Sequence, residues 1–456
     1  MSHSDHLSEP LSELENLHTK YFTIVTYGCQ MNQHDSERLA GQLKSIGYEY
    51  TDTLGEANLV LVNTCCVRES AEKKIYGKIG ELKTLKASNP NLIIGITGCM
   101  AQKDREKLFK KAPHIDLVLG THNVHQLVEI VKEFEQTKDP VLAVWDQAER
   151  LAPDVPTIRK GSISAWVPIM YGCNNFCTYC IVPYVRGRER SRPVEDIVQE
   201  VHQLGLEGFK EITLLGQNVN SYGQDTDEYG DFADLLQTVD HVETIERIRY
   251  MTSHPRDIND KVIDVIANSK KICAYFHLPV QSGSDTILNL MNRGYTTGYY
   301  RELVAKIRKS MPHASLTTDI IVGFPGETEE LFKETLEFIK EIGFDSAYTF
   351  LYSKRSGTPA ATMPNQVPAE VKKERLQQLM DAQNEISLAI NKKLIGEIVT
   401  VMVEGPSKND ENRLMGRTGT NKIILWDKQG IEKIGQLAKV KIITAQTWIL
   451  KGQHVS

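Results

Sequence analysis

The ten residues Tyr171-Gly172-Cys173-Asn174-Asn175-Phe176-Cys177-Thr178-Tyr179-Cys180 contain three cysteines in a CxxxCxxC arrangement. A short apolar stretch, 166–170, precedes them and predicts a β-strand, so the cysteines should lie on a loop directly after it. This spacing is typical of a loop that binds three irons of a [4Fe-4S] cluster and leaves the fourth iron without a protein ligand. An open iron can chelate the amino and carboxylate groups of S-adenosylmethionine, and the reduced cluster can then release a 5′-deoxyadenosyl radical.

Zinc sites and disulfides are the common alternatives for clustered cysteines. A structural zinc site needs four protein ligands, usually as two separated pairs, and no fourth Cys or His lies close to this motif. A disulfide framework is disfavoured because eight cysteines in 456 residues are sparse and no secretory pattern opens the chain. We therefore expect a reducing, cytoplasmic environment, and a disordered tail over residues 1–20.

Composition argues against a membrane protein and gives no global nucleic-acid signal. Hydrophobic residues make up 41% of the chain and charged residues 25%, and no apolar run approaches the length of a membrane span. The net charge of -6 is uneven: residues 391–456 hold 11 Lys and Arg against 6 Asp and Glu, which is +5 and leaves -11 elsewhere. Any RNA contact is therefore expected on local patches.

Strand and helix patterns alternate three times in the N-terminal region, and a cysteine follows each strand. The strands are predicted at 21–27, 58–63 and 92–97, the helices at 36–46, 67–87 and 101–111, and the cysteines are Cys29, Cys65 and Cys99. Such alternation predicts a parallel sheet, in which ligands bind at the edge where the strands end. Three thiolates at that edge can hold a second cluster; the alternative is three unrelated buried cysteines.

Two further cysteines need separate interpretations. Cys66 adjoins Cys65, and neighbouring residues at a strand end point in different directions, so we expect only one of the two to bind iron. Cys273 has no partner in this pattern and is expected to be structural.

The central region contains six more strand patterns with helices between them. These strands are predicted at 166–170, 211–215, 247–251, 274–278, 315–322 and 346–351. Six βα units predict an open, partial (β/α)6 barrel, in which the active site lies at the carboxyl ends of the strands. Polar residues that follow these strands are candidate contacts for S-adenosylmethionine: Gln217, Asn218, Ser253, Gln281, Ser282 and Asp319. The alternative for such residues is a turn or a helix cap, which we consider for Ser284.

Four arginines alternate directly after the cysteine loop, at Arg186, Arg188, Arg190 and Arg192. They can bind phosphates or form a solvated edge with acidic neighbours.

The C-terminal region is predicted to be a small β-barrel. A charged helix at 369–391 leads to five short strand patterns, at 398–403, 413–416, 422–426, 436–443 and 448–452. A five-stranded antiparallel barrel of the OB type fits this pattern, with Lys and Arg on its face for an RNA backbone. A cap or dimerisation module is the alternative.

Together these parts resemble the methylthiotransferase family of radical-SAM enzymes. The resemblance is carried by Tyr27-Gly28-Cys29-Gln30-Met31-Asn32, by Asn63-Thr64-Cys65, and by the segment VPYVRGRERSR at 182–192. It implies an α/β N-terminal domain with three cysteines at 21–137, a radical-SAM core at 159–389 and a TRAM domain at 392–455.

The resemblance also implies cofactors and roles. Cys173, Cys177 and Cys180 would hold the cluster that binds S-adenosylmethionine, with Tyr179 beside the adenine. Cys29, Cys65 and Cys99 would hold an auxiliary [4Fe-4S] cluster.

The implied reaction adds a methylthio group to C2 of N6-isopentenyladenosine at tRNA position 37. One S-adenosylmethionine would methylate a sulfur on the auxiliary cluster, and a second would be cleaved to the radical. The implied partners are a tRNA anticodon stem-loop, an external one-electron reductant of flavodoxin or ferredoxin type, and a sulfur donor.

Other substrates and a role without turnover remain open. Related branches act on threonylcarbamoyl-adenosine in tRNA or on a ribosomal protein; the latter branch typically has Pro-Lys-Asn after its first cysteine, where this chain has Gln30-Met31-Asn32. A non-enzymatic Fe-S scaffold is the further alternative.

Overall fold

Buried, β-branched strands form the framework of the chain and set where its loops meet. The computed structural model describes residues 19–66, 69–146, 155–159, 161 and 163–455. Residues 1–18 of the tail expected over 1–20, and the expected helix start at 67–68, lie outside the described residues. Lys20, which was included in that tail, is the first residue of a strand. The described chain divides into two compact units, with the main boundary between Ile158 and Arg159.

The first unit is a parallel sheet covered by helices. Its strands, within the described residues, are β1 (Lys20–Thr26), β2 (Tyr48–Tyr50), β3 (Leu59–Thr64), β4 (Ile93–Gly98), β5 (Leu117–Leu119) and β6 (Val141–Ala143). The helices are α1 (Gln30–Ser45), α2 (Glu69–Ser88), α3 (Cys99–Asp104), α4 (Lys107–Lys111) and α5 (Leu127–Thr137). The strand order is β2-β1-β3-β4-β5-β6, with every pair parallel. The predicted N-terminal parallel sheet is therefore confirmed.

Some details of this unit differ from the sequence prediction. Strands β2, β5 and β6 were not predicted because each has only three residues, which is too few to show a pattern. Strand β6 also lies beyond residue 137, where the first domain was expected to end. Helix α1 begins earlier than predicted because its first turns bury polar side chains such as Asn32 and Asp35, which hydrophobic periodicity does not detect. The predicted helix at 101–111 is broken at Arg105, whose φ of 47° is not helical.

Six parallel strands of the second unit form the predicted partial barrel. They are β7 (Ser164–Pro168), β10 (Glu211–Leu215), β11 (Arg247–Tyr250), β12 (Tyr275–His277), β13 (Ser315–Val322) and β14 (Ser346–Leu351). Two short strands, β8 (Met170–Tyr171) and β9 (Arg190–Ser191), form a separate ribbon. Parallel pairing gives two sheets, β11-β10-β7 and β12-β13-β14, and a bridge between Ile248 and Ile272 connects them.

This part of the second unit contains eight helices within the described residues, most of which pack on the outside of the barrel. They are α6 (Val182–Arg186), α7 (Val194–Leu206), α8 (Phe232–Asp240), α9 (Asp260–Asn268), α10 (Asp285–Leu290), α11 (Thr297–Ser310), α12 (Glu329–Ile342) and α13 (Ala369–Lys392). Side chains such as Ile248 and Tyr250 join the apolar core between sheet and helices. The alternate residues of the same strand, Arg247 and Arg249, face the other side of the sheet, where Arg249 Nε donates to Glu211 Oε2 at 2.7 Å. Within the described residues, no helix combines the length and apolarity needed to cross a bilayer.

The C-terminal strands close into a barrel as predicted. They are β15 (Ile398–Ser407), β16 (Asp410–Thr418), β17 (Ile423–Asp427), β18 (Leu437–Ala445) and β19 (Ile449–Val455). The closed order is β15-β16-β17-β19-β18. Pairing is antiparallel except between β17 and β19, which run parallel, so the expectation of a wholly antiparallel barrel is wrong at this pair.

The turn between β16 and β17 docks against the amino ends of the central strands. Arg249 Nη2 donates to the carbonyl of Thr418 at 2.8 Å, and Arg247 Nη1 donates to the carbonyl of Arg417 at 2.9 Å. Lys422 Nζ lies 2.6 Å from Asp345 Oδ1, just before β14. The C-terminal barrel is thus fixed at the end of the central barrel opposite to the cysteine loop.

We predict that Arg249→Ala lowers the free energy of unfolding by roughly 3–5 kcal/mol, because it leaves the buried Glu211 carboxylate without its closest cation. Arg413→Ala is the matched control, since Arg413 pairs with Asp427 at the surface of the C-terminal barrel and such pairs contribute about 1 kcal/mol or less. Urea unfolding followed by tryptophan fluorescence measures both. Equal effects of the two substitutions would contradict this interpretation of the junction.

Candidate functional site

A two-stranded ribbon closes the loop that carries the CxxxCxxC motif. Strands β8 and β9 pair antiparallel, with Met170 opposite Ser191 and Tyr171 opposite Arg190. The amide of Cys173 donates to the carbonyl of Gly187 at 3.1 Å. The loop therefore leaves the carboxyl end of β7 and returns beside its own start.

Gly172 allows the two sides of this loop to approach closely. Its φ is +80°, and a Cβ there would lie 1.9 Å from the carbonyl oxygen of Arg188. Its amide donates to Gln217 Oε1 at 2.5 Å. The glycine is required both for the conformation and for the close contact.

The three thiols of the loop are free and largely buried. Desolvation raises the pKa of Cys173 to about 11. Burial, with the neighbouring Cys177 and Cys173, raises the pKa of Cys180 to about 12. Without metal, the Cys173 and Cys180 thiols are protonated at neutral pH, so iron binding to them must release protons.

The segment after α10 holds the cysteine loop from the other side. The carbonyls of Leu290 and Met291 accept from the hydroxyl and amide of Thr178, at 2.8 and 3.0 Å. Asn292 Nδ2 donates to the carbonyl of Phe176 at 3.2 Å. Arg293 Nη1 lies 3.3 Å from Cys177 Sγ and 3.4 Å from the Tyr179 hydroxyl.

Gln217 and Asn218 lie at the carboxyl end of β10 and are used mainly to hold loops together. Gln217 accepts from Gly172, as described above. Asn218 Oδ1 accepts from the His254 amide at 3.0 Å, and Asn218 Nδ2 donates to Asp257 Oδ2 at 2.6 Å. Both polar atoms of Asn218 thus hold together the loops that follow β10 and β11.

Ser253 and His254 follow β11 and present polar atoms without partners. Ser253 Oγ and His254 Nε2 are buried and have no hydrogen-bond partner among the described residues. Burial, and then the guanidinium groups of Arg293 and Arg256, lower the pKa of His254 to about 2. Its Nδ1 accepts from the Arg256 amide, so the neutral ring carries its proton on Nε2. A bound polar molecule would account for both unsatisfied atoms.

Three of the predicted contacts follow β12 or lie on β13. Ser282 Oγ lies 3.3 Å from Thr335 Oγ1 on α12, so its hydroxyl has a protein partner. Gln281 has a φ of 74° and pairs through its backbone with Asp319 and Ile321. Asp319 Oδ1 lies 3.5 Å from His277 Nε2.

Two smaller expectations are also resolved. Ser284 precedes α10 but makes no side-chain cap, so the cap expected there is wrong. Of the four arginines after the motif, Arg188 is the exposed one, and its guanidinium lies 4.5 Å from the Phe176 ring centroid. Arg192 is buried and donates to Glu200 and to the carbonyl of Pro168, so this run mainly supports the loop.

In the first unit, Cys29, Cys65 and Cys99 follow the carboxyl ends of three adjacent strands. Cys29 precedes α1, Cys65 comes directly after β3, and Cys99 is the first residue of α3. The strands β1, β3 and β4 are neighbours in the sheet. The expected placement of these three residues at one edge is observed.

Asparagine side chains connect the segments that carry these cysteines. Asn32 Nδ2 donates to Asn63 Oδ1 at 3.1 Å and to the carbonyl of Thr64 at 2.9 Å. Asn63 Nδ2 donates back to the carbonyl of Asn32 at 2.8 Å. Gly28 lies against Cys65, where an added Cβ would come 2.9 Å from the Cys65 Cβ. The loops after β1 and β3 are therefore locked together.

Cys66 lies close to Cys99, although the pattern of one cysteine after each strand does not include it. It is buried, and its hydrogen bond with Cys99, followed by burial, raises the pKa of the Cys66 thiol. The structure thus places both neighbours, Cys65 and Cys66, among the cysteines of this edge. Cys273, just before β12, is buried near Arg249 and Arg247.

The donor sets fit iron-sulfur clusters better than a single metal ion. Across the described residues, no three His, Cys, Asp or Glu side chains converge as ligands of one ion do. A cubane does not need such convergence because each cysteine binds a different iron. Three soft thiols per site, with no additional imidazole or carboxylate ligand, suit that chemistry.

Comparisons with known proteins agree with this arrangement. Family models match residues 21–120 (uncharacterized protein family UPF0004), 167–339 (radical SAM superfamily) and 392–455 (TRAM domain). Among solved structures, the radical S-adenosylmethionine methyltransferase TsrM from Kitasatospora setae is similar, with a TM-score of 0.55 and 15% identity over 75% of each chain. That likeness supports the fold alone.

Sequence relatives are much closer. The chain is 52% identical to the tRNA-2-methylthio-N(6)-dimethylallyladenosine synthase of Acetivibrio thermocellus, over 96% of this chain and 91% of that protein. It is 53% identical to the protein of the same name from Bacillus licheniformis, over 95% of this chain and 86% of that protein. The chain belongs to the tRNA-2-methylthio-N(6)-dimethylallyladenosine synthase family.

For this family member, sequence reasoning located the cysteines and missed the residues that hold them. Arg293 and Asn292 lie more than 110 positions after the motif and follow a helix rather than a strand. No spacing rule connects them to Cys177. A search for polar residues that follow a helix would have found Asn292 and Arg293, which come directly after α10.

We predict that Gly172→Ala removes most of the iron that the CxxxCxxC loop binds after anaerobic reconstitution, because the added methyl group collides with the Arg188 carbonyl. Gly208→Ala is the matched control: Gly208 also has a positive φ, +101°, but an added Cβ meets no atom within 4 Å. Colorimetric iron analysis compares the two in the full-length chain. Equal iron loss would show that backbone strain, and not the close contact, decides the outcome.

Proposed function

We propose that this protein is a radical-SAM tRNA methylthiotransferase. It adds a methylthio group to C2 of N6-isopentenyladenosine at tRNA position 37 and forms 2-methylthio-N6-isopentenyladenosine. The observation that carries the proposal is the pair of three-cysteine sets, each at the carboxyl ends of parallel strands, in a chain about half identical to synthases of this name.

Each set of cysteines has a distinct role in this proposal. Cys173, Cys177 and Cys180 bind a [4Fe-4S] cluster with an open iron for S-adenosylmethionine, and Cys29, Cys65 and Cys99 bind an auxiliary [4Fe-4S] cluster. When bound, the first cluster supplies the electron that cleaves S-adenosylmethionine and the second supplies the sulfur. C2 of adenine is an unactivated carbon, which is why both supplies are required.

Residues at the barrel mouth bind and orient S-adenosylmethionine. Tyr179, next to Cys180, contacts the adenine. Ser253 Oγ and the Nε2 proton of His254 are available to the polar groups of the molecule, since neither has a hydrogen-bond partner among the described residues. Asp319, at the inner face of β13, is a candidate for the amino or ribose groups. Gln217 acts by holding Gly172.

The remaining partners follow from the same chemistry. The C-terminal barrel exposes Lys439, Lys441 and Lys451, which suit the phosphates of an anticodon stem-loop. An external one-electron reductant of flavodoxin or ferredoxin type and a separate sulfur donor complete the cycle. We place the reaction in the cytoplasm, where tRNA and a reducing environment coincide.

The cluster assignment is tested by replacing Cys173, Cys177 and Cys180 together with Ala. The variant is expected to retain about four of about eight irons per chain, because the other cluster keeps its ligands, and to form no 5′-deoxyadenosine from S-adenosylmethionine with dithionite. Iron analysis and chromatography of the nucleoside measure the two outcomes. Retention of about eight irons would refute the two-cluster assignment.

The neighbouring cysteines provide a finer test. Cys65→Ala is expected to abolish methylthiolation, whereas Cys66→Ala keeps it, because Cys65 follows β3 directly and lies against Gly28. Mass spectrometry of tRNA nucleosides gives the readout. The reverse result would assign the iron to Cys66.

Substrate choice is tested by offering isopentenylated tRNA, threonylcarbamoyl tRNA and ribosomal protein in parallel anaerobic assays. We expect the added methylthio mass on the first substrate alone. A product on either of the others alone would move the chain to a different branch, and no 5′-deoxyadenosine with any substrate would indicate an Fe-S scaffold.

A further inference from the structure

Arg293 is a buried cation next to the cysteine loop. Its side chain is 4% exposed, and its guanidinium donates to Cys177 Sγ at 3.3 Å, to the carbonyl of Pro279 at 2.6 Å and to the Tyr179 hydroxyl at 3.4 Å. It therefore touches a cysteine of the motif, the residue beside the third cysteine, and the end of β12.

No carboxylate among the described residues balances this charge. The charged or polar neighbours of Arg293 are the Tyr179 and Tyr295 hydroxyls and the sulfur of Cys177, and none of them is a carboxylate. A buried guanidinium without an anion is strongly unfavourable. Elsewhere the same chain pairs its buried arginines with acids, as in Arg375 with Glu327 and Arg249 with Glu211. The missing anion at Arg293 points to a ligand.

A [4Fe-4S] cluster held by three thiolates is such an anion. Three thiolate charges exceed the charge of the oxidised core, and reduction adds one more negative charge. A fixed cation with an N–H directed at a ligand sulfur stabilises the reduced form more than the oxidised form, and hydrogen bonds to cluster sulfurs are known to set the reduction potential.

We propose that Arg293 is the counter-charge of the cluster at Cys173, Cys177 and Cys180, and that its hydrogen bond to Cys177 raises the reduction potential of that cluster. The inference rests on the proposed function, because it requires a cluster at this loop. Arg293 acts through Cys177 and is a positioning residue; it does not contact the substrate base.

Two further contacts hold the guanidinium beside the sulfur. Pro279 accepts from Nη2, and the guanidinium lies 5.4 Å from the centre of the Tyr295 ring. Tyr295 is itself fixed by its hydroxyl, which donates to the carbonyl of Val280 at 3.0 Å. A lysine at this position keeps the charge but cannot reach Pro279 and Cys177 together with one planar group.

The test measures the midpoint potential of the cluster in Arg293→Gln and Arg293→Lys. Both are made in the full-length chain that carries Cys29→Ala, Cys65→Ala and Cys99→Ala, so that one cluster is titrated. We expect Arg293→Gln to shift the reduction equilibrium at least tenfold towards the oxidised form, which is ~59 mV for one electron, and Arg293→Lys to shift it less. Electron paramagnetic resonance during the redox titration gives the reduced fraction.

Arg256→Gln is the matched control. Arg256 also donates to the cysteine loop, with Nη2 2.7 Å from Asn175 Oδ1, but it is half exposed and contacts no cysteine. It should leave the potential close to that of the parent chain.

The outcomes separate this inference from the function on which it rests. If the parent chain binds no iron at the loop, the proposed function fails. If the parent chain binds about four irons and Arg293→Gln leaves the potential unchanged, the function stands and the role of Arg293 is refuted. If neither Arg293 variant binds iron although the parent does, Arg293 is a folding element and the proposal is likewise overturned.

Discussion

Every strand of a parallel sheet ends at the same edge, and both groups of cysteines depend on that constraint. In the first unit it brings Cys29 and Cys99, which are 70 positions apart, to the same edge, since they follow two strands of one sheet that are separated only by β3. In the second unit it sets the CxxxCxxC loop among the polar ends of the barrel strands. The same constraint therefore positions both cysteine groups, one on a six-stranded sheet and the other on a partial barrel.

The constraint explains what the sequence could predict. A strand that ends at a cysteine can be recognised in the sequence as a buried apolar run, as at β3 before Cys65. The parallel arrangement then indicates that the cysteines after such strands lie at the same edge of the sheet. It does not determine which way a polar side chain turns after the strand ends. Ser282, a predicted contact for S-adenosylmethionine, lies against Thr335 on α12, a neighbour that no pattern in the sequence indicates.

Residues that hold the loops are harder to predict than residues that carry the chemistry. Asn32 and Asn63 exchange hydrogen bonds across 31 positions, and Arg293 reaches Cys177 across 116. Such pairs have no periodicity and depend on which helix returns to which loop. Very short strands such as β5 are equally invisible, since their neighbours in the sheet, and not their own residues, fix their conformation.

The anchoring of the C-terminal barrel has a geometric consequence. Arg247, Arg249 and Lys422 fix its β16–β17 turn to the amino ends of the central strands, while the cysteine loop occupies their carboxyl ends. A nucleic acid held on the outer strands of this barrel would have to reach around the length of the central strands. A single molecule that contacts both the C-terminal barrel and the cysteine loop must therefore span that length.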